Sequence, residues 1–267
     1  MKKVAIRAVV TATAAVLAGA VYAEAWNPGG GEQEEALSLT PDMENGMEVY
    51  EVCSACHLPE GWGLPDGTFP QLAGQHRGVL IKQLSDIRAL NRDNPTMYPF
   101  ALPEAIGDAQ ALADVVAYIE KLPMNPEWGK GAWGPDTPEF AQGEKLYKDN
   151  CVKCHGETGM GDVEKFYPRI NGQHYNYMLR QFEWIRDGKR RNSNPEMVEQ
   201  IKNFTDQDMK LVINYASWVP VPKDQLAESA DWQNPDYNYM LRQFEWIRDG
   251  KRRNSNPEMV EQIKNFT

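Results

Sequence analysis

The chain of 267 residues is sparing with the side chains that most often carry chemistry, holding four cysteines and four histidines. All four cysteines fall in two short stretches, Cys53-Ser54-Ala55-Cys56-His57 and Cys151-Val152-Lys153-Cys154-His155, 98 positions apart. No thiol is left over for a disulfide or a free nucleophile. No segment alternates polar and apolar residues with period two, which argues against a sheet. Beyond the N-terminus no apolar run is long enough to cross a bilayer. Positive charge is also short. With 38 acidic and 28 basic side chains the formal charge is −10, a poor match to nucleic acid or an anionic membrane surface. No general acid/base pair or activated nucleophile stands out.

What is there is Cys-x-x-Cys-His, twice. This is the attachment pattern of c-type haem: two thiols bond the vinyl groups and the adjacent histidine reaches the iron. A redox dithiol needs one such pair in a βαβ setting and no adjacent histidine. A structural zinc site draws four Cys or His ligands from one fold unit, whereas these pairs lie a domain apart. The expectation is two covalently bound haem c groups, held by Cys53, Cys56 and His57 and by Cys151, Cys154 and His155.

Export fits that chemistry. Lys2, Lys3 and Arg7 precede an apolar stretch over residues 8–20, and Val21-Tyr22-Ala23 offers a cleavage site. Residues 1–23 read as a signal peptide cleaved near Ala23, and the compartment as the periplasm. Loss of those three basic residues takes the charge from −10 to −13. The charge is uneven: residues 24–121 hold 16 acidic and 5 basic side chains, residues 138–222 hold 12 of each. Such asymmetry mostly orients encounters with partners.

In chain order, residues 24–39 read as a flexible leader. Thr40-Pro41-Asp42 reads as a helix start with Thr40 as N-cap, and Met43, Met47 and Tyr50 recur on one face. Gly46, beside Tyr50, suits the close approach of another helix. Residues 58–70 are a Gly- and Pro-rich loop. A second helix follows His76, with Leu80, Leu84 and Ile87 as its stripe, and Asn94-Pro95-Thr96-Met97 breaks it. A last helix opens near Asp108, carries Leu112, Val115, Val116 and Ile119, and ends before Pro123.

After a linker over 124–136 the arrangement repeats. Thr137-Pro138-Glu139 repeats the helix start, and Phe140, Gly143 and Tyr147 answer Met43, Gly46 and Tyr50. His174 answers His76, and Asn194-Pro195-Glu196-Met197 answers Asn94-Pro95-Thr96-Met97. The final helix, with Met209, Val212, Ile213 and Ala216, stops at Pro220. The fold class predicted is all-α, two small haem domains over 40–123 and 137–222.

Each iron has room for a second protein ligand from His or Met. Met97 follows His57 by 40 residues and Met197 follows His155 by 42, in matched Asn-Pro-x-Met contexts. A proline ahead of the methionine disfavours helix and suggests an extended loop across the distal face. Met178 and Met209 sit on helix stripes and suit gap-filling in a core. His76 and His174, also matched, are the rival ligands; their other reading is a helix-start residue bonded to backbone or to a haem propionate. Met160 has no counterpart in the first half and reads as a loop residue.

The two haem motifs, Leu72-Ala73-Gly74-Gln75-His76 with its copy ending at Gly172-Gln173-His174, and the helix with Asp114 and Tyr118 together resemble class I cytochromes c. Within them the pattern resembles the diheme cytochrome c-four group, over residues 40–220. The resemblance implies proximal histidines at His57 and His155 and distal methionines at Met97 and Met197. It implies a periplasmic carrier of single electrons between respiratory partners, commonly from a quinol-oxidising complex to a terminal oxidase, and no catalytic residues. The cytochrome subunit of a flavocytochrome sulfide dehydrogenase is similar at this level, so an electron-transfer subunit of a dehydrogenase complex is the alternative. A catalytic cytochrome would need one iron with an open position.

One stretch departs from the pattern. In the tail over 223–267, residues 237–267 are identical to residues 175–205, 62 positions earlier. The copy holds Met259 but no Cys-x-x-Cys-His, and is expected to bind no haem.

Overall fold

The computed structural model describes residues 31–237. The expected signal peptide, the start of the leader and nearly all of the duplicated stretch 237–267 lie outside the described residues. Among those described the architecture is helical, with two isolated β-bridges and no strand. The helices are α1 (Gly31–Ser38), α2 (Met43–His57), α3 (Arg77–Arg88), α4 (Tyr98–Ala101), α5 (Pro103–Ile106) and α6 (Ala109–Lys121). The second half holds α7 (Pro138–Asn150), α8 (Val152–His155), α9 (Tyr175–Arg186), α10 (Pro195–Ile201) and α11 (Asp206–Trp218).

Each half is built on one crossing. In the first, α2 packs on α6; in the second, α7 packs on α11. The sequence permits the approach through a glycine. A Cβ at Gly46 would lie 2.3 Å from the Asp114 carbonyl oxygen, and one at Gly143 would lie 2.2 Å from that of Leu211. Beside each glycine a tyrosine pair closes the crossing, Tyr50 with Tyr118 at 5.4 Å between centroids and Tyr147 with Tyr215 at 5.2 Å. Leu112, Val115, Val116 and Ile119 are buried from α6, and Met209, Val212, Ile213 and Ala216 from α11, the stripes that helical spacing predicts.

Several local expectations need correction. Helix α2 is capped by Asp42, which accepts from the Glu44 and Asn45 amides, and not by Thr40. At the repeat Thr137 caps as read, with Pro138 in the first turn. The leader is helical over its second half: in α1, Ala36 is 0% exposed. Arg77 donates to the Ala36 and Leu39 carbonyls at 2.8 and 3.0 Å, and Arg88 pairs with Glu32. The ordering comes from cations at the two ends of α3, which no local pattern in 31–38 reveals. The linker over 124–136 packs against the folded halves. Met124, Asn125 and Trp128 are buried, and Trp128 Nε1–H donates to the Ser217 carbonyl at 2.7 Å.

The segment after α11 returns to the first half. Met124 bridges to Leu226, Trp232 lies 5.9 Å from Trp62, and Asn234 Nδ2 donates to the Pro59 carbonyl at 2.7 Å and to Tyr118 Oη at 2.9 Å. The C-terminal strap of the second half thus covers the loop behind the first haem motif.

The halves meet in a seam with local two-fold character. Gln75 accepts from the Arg169 amide at 3.0 Å and donates to the Arg169 carbonyl at 2.9 Å. Its counterpart Gln173 does the same to Gln71, at 3.0 and 2.8 Å. His76 Nε2–H donates to the Met160 carbonyl at 2.5 Å, and His174 Nε2–H to the Trp62 carbonyl at 2.7 Å.

Candidate haem sites

Both Cys-x-x-Cys-His motifs end a helix, α2 in the first half and α8 in the second. The chain then turns sharply: the residue after each histidine has positive φ, 67° at Leu58 and 72° at Gly156. A tyrosine fixes each turn, Tyr50 Oη–H donating to the Leu58 carbonyl at 2.7 Å and Tyr147 Oη–H to the Gly156 carbonyl at 2.8 Å.

The two proximal histidines are held alike. His57 Nδ1–H donates to the Pro70 carbonyl at 3.0 Å, and His155 Nδ1–H to the Pro168 carbonyl at 3.0 Å. A proline carbonyl at the loop's far end therefore sets the tautomer and leaves Nε2 as the free lone pair, the second-shell arrangement usual for a metal-bound imidazole. Burial pushes both imidazoles below their ordinary range, only partly offset by these bonds. Neutral imidazole is the form that ligates.

None of the four cysteines is in a disulfide, and each is half-buried. Burial pushes Cys53 and Cys151 up to about 12. A redox dithiol depends on a thiolate stabilised at neutral pH, whereas burial favours the thiol form of Cys53 and Cys151. The pairs suit thioether attachment: two thiols and one free imidazole nitrogen at each helix end are the donor set haem c takes.

Met97 and Met197 are both half-buried. The expected extended loops are turns. Met97 precedes α4 and its amide bonds to the Asn94 carbonyl at 3.1 Å; Met197 lies in the first turn of α10. Proline does not prevent this, because a first-turn residue needs no intrahelical N–H bond. Asn194 caps α10 by accepting from the Glu196 amide at 2.8 Å, and Asn94 accepts from the Met97 amide at 3.3 Å. Met197 packs on the second core together with Cys151.

The rival histidines are otherwise engaged. His174 is fully buried and uses both ring nitrogens, Nε2–H to Trp62 and Nδ1 accepting from the Gly129 amide at 3.0 Å. His76 spends Nε2 on Met160. Their role as backbone partners is the one seen, across the domain seam. Met160 does have a counterpart: it stands 98 positions after Trp62, and each lends its carbonyl to the other half's histidine. The signal was positional and hidden by the unlike side chains.

Comparison with known proteins agrees with this geometry. The cytochrome c family model matches residues 43–123 and 140–219. The chain is similar to cytochrome c4 of Thiocapsa roseopersicina, 34% identical over 69% of this chain and 96% of that one. It is similar to a thiosulfate dehydrogenase electron acceptor of Stutzerimonas stutzeri, 29% identical over 67% of this chain and 88% of the relative. Among solved structures, reduced recombinant cytochrome c4 from Pseudomonas stutzeri superposes with a TM-score of 0.58 at 28% identity, covering 68% of this chain and all of that one.

Proposed function

Because the chain belongs to the cytochrome c family, as a tandem of two such domains, we propose that it works in the periplasm as a diheme carrier of single electrons between respiratory redox partners. When bound, haem c supplies an iron that gains and loses one electron. The chain's residues do the remaining work. Cys53, Cys56, Cys151 and Cys154 tether the two groups. His57 and His155, oriented by Pro70 and Pro168, would ligate the irons, and Met97 and Met197 would supply the second protein ligands.

With a histidine and a methionine on each iron there would be no open position for a substrate, and the protein's part would be to set potentials and exclude water. The observation that carries the reading is the matched pair of buried histidines, each with Nδ1 bonded to a proline carbonyl 13 residues on. A signal peptide over 1–23 supports export. A quinol-oxidising complex and a terminal oxidase are the partners the family resemblance suggests.

A second reading, an electron-accepting subunit for a dehydrogenase, draws support from the likeness to the thiosulfate dehydrogenase electron acceptor. A spectroscopic redox titration tests the first reading. Two haems per chain, both with the far-red sulfur-to-iron band when ferric, are expected; rapid cyanide binding at either iron would refute it. Stable co-purification with a dehydrogenase from the source cells would favour the second.

A further inference from the structure

The loops leading to Met97 and Met197 each carry an arginine, Arg92 and Arg190, 98 positions apart. Gln83 on α3 and Gln181 on α9 are also 98 apart. The four meet across the domain seam. Arg92 donates to Gln83 Oε1 at 3.0 Å and to Gln181 Oε1 at 3.2 Å. Arg190 donates to Gln181 Oε1 at 3.0 Å and to Gln83 Oε1 at 2.8 Å. Two guanidiniums from different domains therefore share the same two carbonyl oxygens.

Their other acceptors are also neutral, Tyr177 Oη for Arg92 at 3.5 Å and Asn192 Oδ1 for Arg190 at 3.3 Å. The carboxylate in this cluster, Asp86, is paired with Lys82 at 2.8 Å, a lysine that is 1% exposed. Among the described residues neither arginine enters an ion pair. Arg92 is 8% exposed and Asn192 2%. Arg190 is half-buried; desolvation and then the Arg92 charge push it down to about 9, against the pull of Tyr177 and Asp86. Two like charges that share acceptors in a desolvated seam carry a cost that neutral acceptors do not offset. Asp86 is the one carboxylate whose charge reaches Arg190, and it is already shared with Lys82 and Asn192, so among the described residues two guanidiniums and an ammonium face a single anion.

On the reading of two bound haems, each domain brings two more carboxylates, the propionates, on the macrocycle edge away from the thioethers. We propose that Arg92 and Arg190 form one shared cationic seat for propionates of both haems, so that each arginine sets the potential of both irons and not of its own domain's alone. The arginines are positioning residues, acting through the propionates without touching the iron. A guanidinium charge disfavours the ferric state, which carries one more positive charge than the ferrous; removing it lowers the potential.

The test is spectroelectrochemical titration of the diheme protein and its Arg92→Gln, Arg190→Gln, Arg92→Lys and Arg190→Lys variants. Haem content is measured first: fewer than two haems per wild-type chain defeats the haem reading rather than this one. Each Gln variant is expected to shift both midpoint potentials downward, with the Lys variants close to wild type. Movement of a single wave in each variant, or of neither, overturns the proposal. Exchanging chloride for phosphate at fixed ionic strength separates propionates from a solvent anion. A phosphate-dependent shift in wild type that is lost in Arg92→Gln assigns the seat to the free anion and overturns it too. If the Gln variants do not fold, resonance Raman propionate-bending bands of the Lys variants decide. Lysine cannot give two parallel bonds, so the bands should shift; unchanged bands overturn the proposal.

Discussion

The two halves of this chain perform the same local construction with unequal support. In the first, the α2–α6 crossing is wrapped by α1 on one side and by the returning strap with Trp232 and Asn234 on another. In the second, α7 and α11 close a smaller core built around Tyr147, Phe182, Ile201 and Met209. The difference falls outside the haem-holding parts. Histidine to proline carbonyl, tyrosine to the turn carbonyl and the approach at the crossing glycine repeat to within 0.1 Å between the halves. The motif therefore sets its own surroundings, and the wrapping is free to differ.

Removing one tether is the most severe way to test that independence. A Cys53→Ala/Cys56→Ala protein should carry one covalent haem per chain, and so should Cys151→Ala/Cys154→Ala, as counted by the pyridine haemochrome. Loss of both haems from either variant would show that the halves do not mature separately. Next come the proposed distal ligands. Met97→Ala should abolish the far-red band of one ferric haem and lower one potential, and Met197→Ala should do so for the other; a band of full intensity in either variant removes that methionine from the iron.

The crossings rank third. A methyl at Gly46 or Gly143 meets a backbone carbonyl, and overpacking of this kind costs about 1–3 kcal/mol. Chemical denaturation of Gly46→Ala and Gly143→Ala should show comparable losses, each in its own half. The turn after the haem motif then tells the halves apart. Leu58 has φ 67° and ψ 158°, a region that suits glycine, and its counterpart is Gly156. Strain there is about 1–3 kcal/mol. Gly156→Ala should therefore destabilise by that order, while Leu58→Gly should lose little or gain. Smallest is the strap: Asn234→Ala leaves the Pro59 carbonyl and Tyr118 without their donor, at about 1–2 kcal/mol, detectable as earlier thermal loss of the first half alone.

Most of the haem-binding construction was legible from residue order, because it is local. Cys-x-x-Cys-His, a capped helix start, Gly46 and Gly143, and the stripes on α6 and α11 each declare themselves within one or two turns. What escaped depends on partners far along the chain. Residues 31–38 look like solvated acidic sequence until Arg77 and Arg88, forty and more positions on, take their carbonyls and Glu32. The proline of Asn-Pro-x-Met reads as a helix breaker, yet at the first helical position it starts α10. His76 and His174 were visible as a matched pair, but only the folded arrangement distinguishes a ligand from a clamp between domains.

The seam has a consequence for how such a chain can change. Gln75 and Gln173 offer an amide that pairs with the main chain of the opposite half, as a neighbouring strand would, and His76 and His174 also bond to main-chain oxygens. Nothing in those bonds reads the side chain at the receiving position. Gln71 and Arg169 occupy equivalent receiving positions, as do Trp62 and Met160, and the bonds are the same. An interface written in backbone atoms lets the two copies drift apart in sequence while remaining docked, so their surfaces can specialise toward different partners at no cost to their alignment.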